Sequence, residues 1–424
     1  MWKSPKPDTL NPTAANDPSK RSPFAFNAGL DPAHDNYAVV IVDRIFKAAI
    51  EAQATDVHIE LNREQTLLRW RVDGTLVDLG SVPNGRSTSI LNRIKALARL
   101  VTYRCDIPQE GRMMLADYQV EARVGTLPTL HGERAVIRLA LAQKKLLNLH
   151  ELGMADEVLE DLRLATSATS GVILITGPAG AGKTTTAYAC LKELICQDTF
   201  QQRSLVTLED PVEIEFPGVA QSQINPLVGY DWASGLKALF RQDPEVMLVG
   251  EIRDAATAAV VFEAAMTGQL VITTMHARSA ADAIRRLLDM QIQPHHLLSG
   301  LNLLVCQRLL KSTCECQTAN EHFDHAEKNA ASNTANNALR KALPLNEAVC
   351  PICSGCGYTG RILLTESFPR IERELAKAIM SDADSKCLES LAQGAGMVTL
   401  SQQATNAVQA HRTTLAELRR HFTQ

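Results

Sequence analysis

The chain divides by the rhythm of its apolar positions. Over residues 1–34 Pro, Asn, Asp, Ser and Ala dominate and no apolar period emerges, which predicts a disordered N-terminal tail. From Asp35 the rhythm changes. YAVVIVDRIFKAAIEA places apolar residues at helical spacing, and TDVHIEL and TLLRWRVDGTLVDLG predict strands with a turn at Asp73-Gly74. SILNRIKALARLV predicts a second amphipathic helix, and RMMLADYQVEARVGTLPT and ERAVIRLA return to strand character. Residues 35–142 therefore predict a small α+β domain, with 143–150 as a linker.

Beyond the linker, short continuous apolar runs alternate with helical segments: GVILIT (171–176), SLVTLED (204–210), EVMLVGE (245–251) and QLVITTMH (269–276). Runs of this kind predict strands buried on both faces, hence an α/β domain with a parallel sheet over 151–424. The composition shifts again after Lys311. Residues 317–348 are rich in Asn and Ala and predict an insertion between two groups of cysteines. From PRIERELAKAIM onward the chain predicts a helical cap, and 362–424 is assigned to C-terminal helices.

Composition narrows the function. The 424 residues are 45% hydrophobic and 21% charged, ordinary globular usage with room for two or three cores. A net charge of −4 and 4% aromatics argue against a nucleic-acid partner. No run reaches the roughly 18 apolar residues of a membrane span, and MWKSPKPDTL lacks the apolar core of a signal peptide. The expected compartment is the cytoplasm, where clustered thiols favour metal over disulfide.

Directly after GVILIT stands Gly177-Pro178-Ala179-Gly180-Ala181-Gly182-Lys183-Thr184, with Thr185 opening a helical pattern. This is the phosphate loop Gly-x4-Gly-Lys-[Ser/Thr] in its strand–loop–helix setting. Its glycines let backbone N–H groups converge on phosphate oxygens, and the following helix adds its positive end. Lys183 is expected at the β and γ phosphates and the Thr184 hydroxyl at Mg²⁺. Phosphoryl chemistry also needs a carboxylate to hold metal or orient water. Glu209 and Asp210 (TLEDPVE) and Glu251 (MLVGEIRD) each end an apolar run, and His276 ends a third. In a parallel sheet such positions converge beyond the strands' carboxyl ends, so the site predicts an ATPase.

These boxes in this order resemble the secretion ATPase superfamily, the GspE/PilB-like ATPases of type II secretion and type IV pilus assembly. The resemblance also takes in ATDVHIE (54–60), RWRVDG (69–74), NRIKALA (92–98), PQEGR (108–112), ARVGTLPTLHGERAVIRL (122–139) and GMVTL (396–400), and so spans 35–424. It implies a RecA-like ATPase domain behind a small PAS-like α+β domain, working on ATP and Mg²⁺ as a homohexameric motor at the inner membrane. By the resemblance Glu209 and Glu251 share Mg²⁺ coordination and water activation, without a division between them. His276 senses the γ-phosphate, and Arg112 and Arg123 turn from the small domain toward the nucleotide. Arg253 and Asp254 hold Glu251 by a neighbouring ion pair. The implied partners are an inner-membrane platform protein that assembles pilin or pseudopilin subunits and a membrane-side adaptor. Only about 34 residues precede the small domain, so adaptor contact through a further N-terminal domain is not expected. TYRCDIPQEGR also lacks an arginine that the family often carries before Pro-Gln. Within the superfamily a DNA-uptake or conjugation ATPase remains an alternative, as does a scaffold that has lost hydrolysis.

The family's assembly ATPases carry a zinc motif, Cys-x2-Cys, a gap, then Cys-Pro-x-Cys-x3-Gly-Tyr-x-Gly-Arg. Here the second half reads Cys350-Pro-Ile-Cys353-Ser-Gly-Cys356-Gly-Tyr-Thr-Gly-Arg361 and the first is a shortened Cys314-Glu-Cys316. The resemblance implies Zn²⁺ on Cys314, Cys316, Cys350 and Cys353 within an insert over 311–361, with Cys356 as spare or substitute. A metal-free knuckle is the alternative. Cysteines 105, 190, 196, 306 and 387 are expected as buried small hydrophobes.

Overall fold

The computed structural model describes residues 34, 36–72, 74–140, 146–196, 203–318, 350, 353 and 357–422. The tail over 1–33, most of the Asn/Ala-rich insertion and Cys356 lie outside them. The chain forms two compact units, residues 1–143 and 144–424, with the boundary inside or beside the expected linker.

Unit 1 begins with α1 (Tyr37–Glu51), whose Ile41, Val42, Ile45, Phe46 and Ala49 form one buried stripe. Strands β1 (Asp56–Leu61), β2 (Gln65–Val72) and β3 (Thr75–Pro83) follow, then α2 (Asn84–Leu97). β4 (Gln109–Leu115), β5 (Val120–Thr129) and β6 (Gly132–Ala140) complete an antiparallel sheet in the order β3-β2-β1-β6-β5-β4. Val72 pairs with Thr75, so the hairpin reverses between them; Asp73 of the expected Asp73-Gly74 turn lies outside the described residues. Alternation along the strands decides which residues enter the core with the helices: Val57, Ile59, Leu68, Trp70, Ala122, Val124 and Ile137 do. Each large apolar side chain so buried contributes about 1.5–3 kcal/mol. The intervening positions carry Asp56, Arg71, Arg112, Arg123 and Arg138 on the other face.

Unit 2 opens with α3 (Asp156–Thr166) and β7 (Gly171–Thr176), then α4 (Lys183–Ile195), β8 (Leu205–Glu209) and β9 (Ala220–Gln223). Next come α5 (Trp232–Leu239), β10 (Val246–Ile252), α6 (Ala255–Met266), β11 (Leu270–Met275), α7 (Ala280–Asp289) and α8 (Pro294–Gly300). The strand β12 (Leu301–Thr313) leads through a short α9 (Glu315–Thr318) to β13 (Tyr358–Ser367). The sheet order is β13-β12-β7-β11-β10-β8-β9, parallel throughout except for β13 on the edge. β7 and β11 are buried at every position, as their unbroken apolar runs require. Leu162, Tyr188 and Leu191 of α3 and α4 pack on one face. The other face takes α5–α8 and helices Arg373–Met380, Ser385–Gly394 and Leu400–Gln409. Residues 362–367 depart from their helical assignment: they are the second half of β13, because RILLTES pairs with β12, and helix resumes at Arg373.

The cysteines outside the cluster meet the expectation of burial at two positions and depart from it at three. Cys190 and Cys306 are buried, and burial pushes both thiols up to about 12. Cys105, Cys196 and Cys387 are exposed. Apolar neighbours in sequence do not fix which side of a loop or helix end faces the core. No helix among the described residues is long and apolar enough to cross a membrane.

Candidate active site and metal centre

Strand order brings the expected boxes together. β7, β11 and β10 are neighbours, and each ends at the same edge of the sheet. The phosphate loop leaves β7 through Gly177, Gly180 and Gly182, all at positive φ where a side chain would be strained. Gly182 stands at the N-cap of α4 without a side-chain cap, which leaves the first-turn N–H groups for an anion.

Lys183 is folded back into this loop. Its Nζ donates to Gly177 O at 3.0 Å and Pro178 O at 3.2 Å, and lies 3.2 Å from His276 Nδ1. On its other side His276 Nε2 lies 2.9 Å from Glu251 Oε1. A neutral ring protonated on Nε2 satisfies both neighbours, donating to the carboxylate and accepting from the ammonium. Burial lowers the Lys183 pKa, and the charge of Glu251 partly offsets this. Arg286 donates to the His276 carbonyl and Thr274 Oγ1 to Gly250 O at 2.7 Å, so the ends of β11 and β10 are fastened.

Glu251 is held from its second oxygen as well, by Arg253 Nε at 2.8 Å. Arg253 Nη1 reaches Asp210 Oδ2 at 3.5 Å, so this arginine ties together the ends of β10 and β8. Asp254 instead caps α6, accepting from Thr257 N at 2.8 Å. Glu209 sits in a different setting. It is buried, and its carboxylate accepts from Tyr188 Oη, from Thr207 Oγ1 at 2.7 Å and from Gln221 Nε2 at 3.2 Å. Burial and the bond to Glu209 raise the Tyr188 pKa, which keeps its hydroxyl a donor. Tyr188 and Gln221 carried no signal in the sequence. They are polar residues whose partner stands 21 and 12 positions away.

Arg112 and Arg123 face each other directly across β4 and β5 in unit 1, both exposed. Arg112 lies 3.4 Å from Glu121, and Arg123 has no ion pair among the described residues. Next in the same row stands Arg138, 3.0 Å from Asp56.

The sulfurs of Cys314, Cys316, Cys350 and Cys353 all lie within 4.8 Å of one another. Two of the separations are 3.9 Å, Cys314 to Cys350, and 3.5 Å, Cys316 to Cys353. Zn–S bonds of about 2.3 Å in a tetrahedron set S···S edges of about 3.8 Å, so the cluster fits one Zn²⁺ despite the shortened pair. Disulfides, at about 2.05 Å, do not fit. The Thr359 hydroxyl and the Cys316 N–H hold the Cys314 thiol down to about 6, toward the thiolate a metal needs. Purified protein is expected to carry one zinc per chain by elemental analysis. Cys350→Ser or Cys353→Ser should lose it and Cys356→Ser keep it, and zinc lost from Cys356→Ser alone would refute this ligand set.

Comparison with known proteins agrees with this geometry. The family model for type II/IV secretion system proteins matches residues 32–420. The type II secretion system ATPase E of Vibrio cholerae is 35% identical over 364 residues, covering 85% of this chain and 70% of that protein. The type IV pilus assembly ATPase PilB of Thermus thermophilus is 33% identical, over 91% of this chain and 43% of that protein. Among solved structures, the Legionella pneumophila ATPase DotB superposes with a TM-score of 0.62 at 19% identity, over 90% of this chain and 94% of that one. That likeness extends to the fold alone. With its family model spanning nearly the whole length and a phosphate loop, Glu251 and His276 gathered at one sheet edge, the chain belongs to the type II/IV secretion system ATPases.

Proposed function

We propose that this ATPase is the hexameric motor that assembles pilin or pseudopilin subunits into a fibre, for type II secretion or a type IV pilus. The observation that carries the assembly direction is the four-cysteine cluster. By the family resemblance such a lobe goes with extension rather than retraction. The motor works in the cytoplasm, at the inner membrane through a platform protein.

At the site, the uncapped start of α4 and Lys183 take the phosphates, and the Thr184 hydroxyl would hold Mg²⁺, which when bound would supply charge neutralisation to the transferring phosphoryl. Incoming phosphate draws Lys183 away from the Gly177 and Pro178 carbonyls and frees His276 to meet the γ-phosphate. Glu251 orients the attacking water. Glu209, whose oxygens are engaged by Tyr188, Thr207 and Gln221, supports the end of β8 beside Asp210. Arg112 and Arg123 supply positive charge to the nucleotide.

In cells lacking their own copy, the wild-type chain is expected to restore fibre assembly or secretion, and Lys183→Ala to restore neither. With a non-hydrolysable ATP analogue the purified chain should sediment as a six-membered ring. Full restoration by Lys183→Ala, or a monomer under those conditions, would defeat the proposal. Arg123→Ala is expected to lower kcat about tenfold or more while leaving the Kd for ADP unchanged.

A further inference from the structure

In the run LLVCQRLL of β12 an amide stands between Cys306 and Arg308, and that residue, Gln307, is fully buried at 0% exposure. A buried amide is costly unless both of its ends are bonded. Here both are. Nε2 donates to Ala181 O at 2.7 Å, and Oε1 accepts from Thr186 Oγ1 at 2.9 Å. One side chain therefore joins the phosphate loop to the first turn of α4.

The strand register explains the encounter. Thr176, the last residue of β7, pairs with Met275 of β11 on one side and Cys306 of β12 on the other. The next residues, His276, Gly177 and Gln307, thus stand abreast at the sheet edge. The loop lies directly on Gln307: a Cβ at Gly177 would fall on its carbonyl oxygen, and one at Gly182 would lie 3.2 Å from its Nε2.

We propose that Gln307 is a positioning residue that aims the Gly182 N–H at bound phosphate. In a planar trans peptide the C=O and N–H point in opposite directions. Anchoring the Ala181 carbonyl to β12 turns the Gly182 N–H away from β12 and into the loop. The Thr186 bond holds α4 at a set distance from that peptide, so loop and helix dipole act on one anion position. His276 flanks the loop from β11 and Gln307 from β12; the first faces the γ-phosphate and the second shapes the cradle.

The inference rests on residues 177–184 binding nucleotide phosphates, and the test separates the two. The full chain and its variants are titrated with ADP by calorimetry, melted without nucleotide, and assayed for ATP turnover. Gln307→Leu, similar in size but unable to bond, is expected to weaken ADP binding about 10- to 100-fold. KM for ATP should rise by a similar factor, with a smaller fall in kcat. Gln307→Glu keeps the Thr186 bond but sets an acceptor against Ala181 O, and should weaken ADP binding comparably. Thr186→Val should weaken it about threefold, by freeing one end of the amide. These last two carry the test if Gln307→Leu does not fold. ADP binding within twofold of wild type in the folded variants, while Lys183→Ala has lost it, overturns the role of Gln307. Unchanged ADP binding by Lys183→Ala overturns the phosphate-loop reading and the inference with it.

Discussion

Glu251→Gln is expected to lower kcat by about 10²- to 10⁴-fold while ADP binds nearly as in the wild type. The amide keeps the size of the carboxylate and can still meet His276, but it cannot take a proton or draw a water into line. The phosphate loop, Lys183 and Thr184 are untouched, so binding should survive. Glu209→Gln should behave differently. Its carboxylate accepts three donors in a buried setting, so placing an NH₂ there sets donor against donor. The cost falls on stability, about 1–3 kcal/mol, more than on the chemical step. Rapid-quench turnover, ADP calorimetry and thermal melts on both variants separate the roles. Equal losses of kcat from both, with unchanged melting, would put the two glutamates back on the same task.

The largest stability effect is expected in unit 1. Lys95 of α2 is fully buried, and its Nζ donates to both oxygens of Glu133 at 2.9 Å and to Arg104 O at 2.6 Å. Removing one member strands the other charge in the core, which costs about 3–5 kcal/mol. Lys95→Met should therefore strongly destabilise this unit, seen as an earlier unfolding of buried Trp70 by fluorescence. The double variant Lys95→Met/Glu133→Leu removes both charges and should regain most of the loss. A single variant costing under about 1 kcal/mol, or a double variant no better than the single, would show that the pair does not bear on the core.

How much of this was legible differs from element to element. GVILIT and QLVITTMH declared themselves as buried parallel strands because an unbroken apolar run has no solvent face to spare. The phosphate loop was equally plain, since its glycines and lysine lie within eight consecutive residues. β12 and β13 were harder. Arg308, Lys311 and Arg361 break their apolar pattern, and β13 exists only because it pairs with β12 across a long insertion. NRIKALA and GERAVIRL were each recognisable, yet nothing in either announced that Lys95 and Glu133 meet across 38 residues.

Local features, then, were settled by sequence alone: strand and helix rhythm, and the loop that curls round phosphate. Each depends on interactions within a few residues, where backbone geometry and side-chain period leave little choice. Tertiary structure decided the partnerships. It set β11 between β7 and β10, so that His276 bridges Lys183 and Glu251. It turned Glu209 toward Tyr188 and Gln307 under the loop, and it brought four sulfurs to within one ion's reach despite a missing residue in the first pair. Those outcomes rest on which strands pair and in which register, and a change of one residue in register sends every side chain to the opposite face.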